Sequence, residues 1–324
     1  MIITVTLNPA VDQTLELERL TLGDTNRVRD SRIDPGGKGI NVSRVLRELG
    51  RESLAAGLAP GSLGKFVEHS LLELGILCDF VHTRGQTRTN LTVVDESAHE
   101  TTLLSYRGPD VDPRHIHTLE TRLRRYLSAN DWLVVGGSIP PSIALETYQE
   151  LMDLGHLAGA HTVIDADAEA LEAGLRGRPE IAKANHHEAE RLLGKTLESD
   201  SDLLRAGEDV RAAGASIAVI TAGPRGAVAV AEEGVWWAWP PETVVSSAVG
   251  AGDALLAGML FKLEENPAGL EEAMRWGTAA GAAACLSSGT QLCLRDDVAR
   301  ILPNVRVERI ERAAVPSSAS DDRR

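Results

Sequence analysis

Four short stretches bring together residue types that suit group-transfer chemistry. In Val249-Gly250-Ala251-Gly252-Asp253-Ala254-Leu255-Leu256, small residues and a carboxylate open directly into an apolar helical run. Glycines there let backbone N–H groups approach an anion, and the helix N-terminus adds the positive end of its dipole. An aspartate at that mouth can receive a hydroxyl proton while the amides hold a transferring phosphate. Its position predicts a low pKa, hence a weak base that orients more than it deprotonates. The same pattern also suits an acid that merely caps the helix.

The second stretch, Pro35-Gly36-Gly37-Lys38-Gly39-Ile40-Asn41-Val42, adds a lysine and an amide to a glycine cluster at a helix start. It could cradle a sugar and its phosphate, or form a tight turn with Asn41 in solvent. Neither this run nor Gly64-Lys65 has the spacing of a Walker A loop. The third, Thr221-Ala222-Gly223-Pro224-Arg225-Gly226, follows a strand pattern and could pass over nucleotide phosphates or be a generic turn. In the fourth, Lys183-Ala184-Asn185-His186-His187-Glu188, the Asn and Glu offer oxygen ligands to a hydrated Mg2+. The two adjacent histidines lack the i, i+4 spacing of a helical metal pair and are expected to be surface or cap residues.

These stretches need a scaffold, and 324 residues of which 43% are hydrophobic suffice to bury a large core. Strand-like runs at Ile2 to Leu7, Trp132 to Val135, Thr162 to Ile164 and Ile217 to Thr221 alternate with helical spacing, as in Val42, Val45, Leu46 and Leu49. Further helical patterns cover Ile143 to Leu157, Leu203 to Ala213, Ala254 to Leu263, Leu270 to Ser287 and Asp296 to Leu302. Alternating β and α predicts a doubly wound, mainly parallel sheet flanked by helices. Thr14 to Leu20, Arg27 to Ile33, Asn90 to Val94 and Thr101 to Tyr106 resemble strands with no helix between them, so a small β-sheet lid is expected from about 12–33 and 88–107. Residues 1–302 are expected to form one domain, and the charged, Ser-rich 303–324 to be a disordered tail.

A net charge of −14 disfavours nucleic acid and anionic membrane as partners. A phosphorylated substrate therefore needs a local basic pocket. Cys78, Cys285 and Cys293 have no Cys-x-x-Cys spacing, which suits a reducing compartment. The opening run is too short for a leader and no apolar stretch approaches a membrane span, so the cytoplasm is expected.

Taken in order, the motifs resemble the ribokinase-like family of carbohydrate kinases, specifically its phosphofructokinase branch, over roughly residues 1 to 302. Thr6-Leu7-Asn8-Pro9-Ala10-Val11-Asp12 resembles the branch's opening, which implies that Asp12 contacts sugar hydroxyls. Gly36 to Val42 resembles its sugar signature, implying Gly37, Lys38, Gly39 and Asn41 as substrate residues. Arg88-Thr89-Asn90 is similar to the lid segment that holds the substrate phosphate, and Gly137-Ser138-Ile139-Pro140-Pro141 to its Gly-Ser-Leu-Pro-Pro turn. The likeness of Lys183 to Glu188 to Lys-Pro-Asn-x-x-Glu implies phosphate and magnesium roles for Lys183, Asn185 and Glu188. Thr221 to Gly226 resembles the ATP loop, implying nucleotide contacts by Thr221, Gly223 and Gly226. Gly250 to Asp253 resembles the anion hole with its base, implying that Gly250, Ala251 and Gly252 hold the phosphate and Asp253 takes the proton.

Ala184 departs from the family by replacing a proline. Asp165-Ala166-Asp167-Ala168 stands where Asp-x-Ser-Gly is usual, leaving Asp165 a minor candidate. The base pocket, expected near Ala279 to Ser287 and the Gly289-Thr290 turn, has no distinctive side chain. Lys38 and Arg88, with Arg27 and Arg107 as further candidates, would supply the basic pocket. The resemblance implies ATP and Mg2+, a homodimer, and phosphorylation of a furanose phosphate. Lys38 within Gly-Gly-Lys-Gly is similar to the 1-phosphofructokinase and tagatose-6-phosphate kinase pattern and favours fructose 1-phosphate. Gly289 to Cys293 with Asp296-Asp297 is more like a 6-phosphofructokinase end. A sugar-phosphate sensor on the same fold is the non-enzyme alternative, and no Gly-x-Gly-x-x-Gly supports a dinucleotide oxidoreductase.

Overall fold

Alternate residues of the apolar opening enter opposite cores: Ile3 and Val5 pack on one side and Ile2 on the other. All of β1 (Ile2–Thr6) is buried. A strand covered on both faces has this near-continuous apolar character. The computed structural model describes residues 1–98, 100–287 and 289–311.

After β1 come β2 (Ala10–Leu17), β3 (Asp30–Gly36), α1 (Lys38–Glu48), β4 (Ser53–Pro60), α2 (Gly61–Glu73) and β5 (Leu77–Thr83). Then follow β6 (Arg88–Asp95), β7 (Glu100–Leu104), α3 (Arg114–Tyr126), β8 (Trp132–Gly136), α4 (Thr147–Leu157) and β9 (His161–Asp165). The chain continues through α5 (Ala168–Arg176), β10 (Ile181–Asn185), α6 (His186–Leu193), α7 (Asp200–Ala212) and β11 (Ile217–Thr221). It ends with β12 (Ala227–Ala231), β13 (Gly234–Trp239), α8 (Ala251–Leu263), α9 (Leu270–Ala284), α10 (Arg295–Ile301) and β14 (Arg306–Ile310).

The large sheet has the order β14-β13-β12-β11-β10-β9-β8-β1-β4-β5. From β11 to β5 its strands are parallel, and β12, β13 and β14 extend it antiparallel. Side chains of α3, α4, α5 and α7 join the core on one face, and those of α1, α8, α9 and α10 the core on the other. This is the expected doubly wound arrangement. The chain first builds outward from β1 through β4 and β5, then returns to β1's other side at β8. Such a reversal opens a crevice beyond the carboxyl ends of the strands.

The small sheet, ordered β3-β2-β6-β7, matches the expected lid strands with shifted ends. β2 starts earlier than the alternation suggested because Ala10 pairs with Gly36 and Arg88. The helix expected from Ile143 begins at Thr147, and α9 stops at Ala284. The tail requires a correction. Residues from Leu302 form a 3-10 turn and then β14, which pairs with β13 along its length. Its charged alternation is that of an edge strand, not of disorder. Residues 312–324 of the expected tail lie outside the described residues.

Candidate active site

Lys38 and Asn41 share one face of the first turn of α1, at the crevice between β1 and β8. Helix α8 brings Asp253 against that face, and Asn41 Nδ2 donates to Asp253 Oδ2 at 2.7 Å. Lys38 Nζ donates to Asp165 Oδ1 at 2.6 Å and to Glu188 Oε1 at 2.9 Å. Asp165, at the carboxyl end of β9, lies in register with Lys183 on β10, whose Nζ takes its other oxygen at 3.0 Å. Asp165, Lys183, Glu188, Asn41 and Asp253 are all buried. A Cβ at Gly252 would stand 2.7 Å from Lys183 Nζ, so the α8 turn sits directly over that ammonium.

These neighbours overturn the expected low pKa of Asp253. Burial, reinforced by the negative charge of Asp165, pushes it up to about 6, against the pull of Lys38, Lys183 and the Asn41 hydrogen bond. The dipole argument holds for a solvated helix end, and this one is buried. Asp165 goes the other way: burial raises its pKa, but Lys183 and Lys38 outweigh that and hold it below the usual carboxylate range. Burial likewise lowers the Lys38 ammonium, and Asp165 and Glu188 more than reverse the effect. The cluster thus favours Lys38 as a cation and Asp165 as an anion, and makes Asp253 harder to ionise than a solvated carboxylate.

Asn185 and Glu188 form a capping box on α6: Asn185 Oδ1 accepts from Glu188 N at 2.9 Å and Glu188 Oε2 from Asn185 N at 2.7 Å. Thr221 lies one strand beyond, in register with Asn185, and Gly223 and Gly226 form the turn that follows. Among the described residues none of these three bonds to the Asp253 cluster.

A second group belongs to the small sheet. Asp12 on β2 accepts from Asn90 Nδ2 on β6 at 2.8 Å, its partner in register. A Cβ at Gly36 would overlap the Asp12 carboxylate, which is the close approach that requires this glycine. Arg88 gives NH1 to Tyr106 O at 2.8 Å, while its buried Nε has no partner. Ser138 is held by Asn8, whose Nδ2 also reaches Arg107 O. Arg27 and Arg107 are exposed, with no ion pair among the described residues.

Sequence reasoning missed Asp34 and Arg44, put Thr290 near a base pocket instead of against Asp34, and undervalued Asp165. Asp34 on β3 contacts Arg32 and Arg44 and accepts from Thr290 at 2.7 Å. The Gly289–Thr290 turn, expected near a base pocket, therefore touches the small sheet. Only the run of polar residues in Asp34 to Arg44 signalled this network, and it carries no spacing rule.

Residues 5–297 match the family model for the pfkB family carbohydrate kinases, so the chain belongs to this family of phosphotransferases. It is 35% identical to the 1-phosphofructokinase of Rhodobacter capsulatus over 260 residues, 80% of this chain and 82% of that one. It is 33% identical to the ATP-dependent 6-phosphofructokinase isozyme 2 of Escherichia coli K12, over 93% of this chain and 97% of the relative. The crystal structure of Escherichia coli phosphofructokinase-2 in complex with substrates and products superposes with a TM-score of 0.88 at 32% identity, covering 94% and 98% of the chains.

Proposed function

We propose that this chain transfers the γ-phosphoryl of ATP to a hydroxyl of a furanose phosphate, fructose 1-phosphate in the first instance, giving fructose 1,6-bisphosphate. The observation that carries the reading is Asp253, buried against Asn41, with its pKa near the operating range and the amides of Gly250, Ala251 and Gly252 beside it. A carboxylate tuned to about 6 is a better proton acceptor than a solvated one. In a loose phosphoryl-transfer transition state it aligns the hydroxyl and takes its proton late. The α8 N-terminus and Lys183 face the developing charge. Arg88, with an unpartnered Nε, supplies positive charge that an acidic protein must concentrate locally, and Asp12 with Asn90 holds sugar hydroxyls.

Asn185 and Glu188 would hold Mg2+ through water. Both Glu188 oxygens and Asn185 Oδ1 already accept hydrogen bonds, and the described residues hold no cluster of three metal-ligating side chains. Carried on the nucleotide, the ion offsets phosphate charge. Thr221, Gly223 and Gly226 flank the nucleotide's phosphates in this reading.

Relatives of both kinds, 1-phosphofructokinase and 6-phosphofructokinase, resemble the chain at similar identity. Lys38 favours the former, although its Nζ is tied to Asp165 and Glu188 and would act on substrate as part of that group. Assaying the purified protein with ATP and fructose 1-phosphate, fructose 6-phosphate or tagatose 6-phosphate decides among them. The highest kcat/KM is expected with fructose 1-phosphate, and saturable binding of all three without ADP release would instead indicate a sensor. Replacing Asp253 with Asn is expected to leave binding intact and remove nearly all turnover.

The large sheet through β14 serves with its helices as one catalytic unit, and the small sheet as a lid that closes over the sugar and excludes water. A homodimer through that lid is supported by Ile33, Gln13, Leu91 and Leu104. They stand in one row across its four strands, with Ile33 and Leu104 about half exposed. No helix among the described residues is long and apolar enough to cross a membrane, and three free thiols suit the cytoplasm.

A further inference from the structure

Arg44 has no part in the scheme above, yet its side chain is only 10% exposed and lies one helical turn from Asn41. Its NH1 donates to Pro35 O at 3.0 Å and to Asn41 Oδ1 at 3.4 Å, and its NH2 pairs with Asp34 Oδ1 at 3.2 Å. Asp34 is anchored in turn: the same oxygen meets Arg32, and Oδ2 accepts from Thr290. A continuous chain therefore runs from Asp34 through Arg44 and Asn41 to Asp253.

The two ends of the Asn41 amide are chemically distinct. A guanidinium can only donate, so the end facing Arg44 must be the oxygen, and the NH2 is left for the carboxylate. The reversed amide would set oxygen against Asp253 and NH2 against Arg44. A protonated Asp253 could tolerate that reversal by donating to the amide oxygen. Arg44 opposes it.

We propose that Arg44, held by Asp34, is a positioning residue for phosphoryl transfer: it locks the Asn41 amide so that Asp253 keeps one oxygen bonded and the other presented to the acceptor hydroxyl. The proposal rests on Asp253 being the base. Asp253 also faces Asp165 from β9, Lys183 from β10 and Lys38 from α1, while Arg44 also faces Arg32 from β3 and Asp12 from β2. Those groups are unchanged in the variants below, but Arg44 also acts on Asp253 through its charge, so it is the double variant, and not the limb alone, that reports the chain itself.

The test measures kcat, both KM values and the pH dependence of kcat/KM for Arg44→Gln, Arg44→Lys, Asn41→Ala, the Arg44→Gln/Asn41→Ala double variant and Asp253→Asn. Glutamine can both donate and accept, so it no longer dictates the amide's sense, whereas lysine only donates. Arg44→Gln is expected to lower kcat on the order of tenfold, part of the roughly hundredfold or more that a well-placed base contributes. It should also move the acid limb to higher pH with the nucleotide KM little changed. Arg44→Lys should return the limb toward its original position, and the double variant should be no slower than Asn41→Ala. Multiplied losses in the double variant, or an unmoved limb in Arg44→Gln, overturn the proposal. Should Arg44→Gln not fold, Asp34→Asn, which unanchors Arg44, must lower kcat without adding to the loss in Asn41→Ala, and its failure to do so is equally decisive. Near-normal turnover in Asp253→Asn would sink the assignment of the base, whereas an inactive Asp253→Asn with multiplied losses sinks only the positioning role.

Discussion

Asp165 governs the Asp253 cluster without being placed to accept the substrate's proton. It pairs with Lys38 and Lys183 and adds to the burial that, as the larger cause, pushes the pKa of Asp253 up to about 6. The group must be ionised to act as base, so kcat/KM is expected to fall as the pH drops through about 6. Replacing Asp165 with Asn removes a negative charge and leaves two cations facing Asp253. The acid limb should therefore move to lower pH than in the parent enzyme. Because both enzymes see the same substrate ionisations, the comparison isolates the protein group, and a limb that stayed or rose would contradict the electrostatic account. Arg88 is tested by the split between substrates. With Arg88→Ala the sugar-phosphate KM is expected to rise on the order of ten- to a hundredfold, the worth of a charge-assisted hydrogen bond, and the ATP KM far less. Equal rises in both would argue against a phosphate role. Asp253 could be placed from its sequence alone, because small residues before an apolar helix dictate a local geometry. Its basicity could not, since burial and Asp165 reach it only through the fold. The role of Arg44 and the bond of Thr290 to Asp34 were invisible for the same reason.

Helices α8 and α9 form a tightly packed pair, and Gly250, Ala251, Gly252 and Asp253 open the first of them. A methyl group at Gly258 would stand 2.6 Å from Trp276 O and 3.0 Å from Ala280 Cβ. Gly258→Ala must push the helices apart, and overpacking of this kind costs about 1–3 kcal/mol. Urea unfolding should show that loss, together with lower kcat as Asp253 shifts against Asn41. Wild-type stability would mean that the contact relaxes at no cost. Strong periodicity made the helices legible, as in Val42, Val45 and Leu46. The exceptions are instructive. β14 was mistaken for tail because an edge strand buries little, and Arg306-Val307-Glu308-Arg309-Ile310 alternates mostly charged residues. The lid strands were found, but their ends follow from pairing partners and not from composition.

At the scale of the molecule, the small sheet turns one face toward the site and leaves an apolar row on the other. Thr14 and Thr92 lie buried on the inner face, and Ile33 and Leu104 are on the outer one. Pairing two copies through that row would relieve its exposure and join two lids. Replacing both Ile33 and Leu104 with Lys is expected to convert a dimer to a monomer in sedimentation velocity and to raise the sugar-phosphate KM. A parent enzyme that sediments as a monomer at all concentrations would end this reading.

The hydrogen bond from Asn41 to Asp253 spans 212 residues of chain, and that from Thr290 to Asp34 spans 256. On the ribosome the first partner of each pair therefore waits on the order of tens of seconds for the second to be synthesised. Until then the amino-terminal half has a lysine, a sugar loop and part of a sheet, but no base. The kinase cannot act before its last third has emerged, and a nascent chain arrested short of α8 would be a folding intermediate without activity.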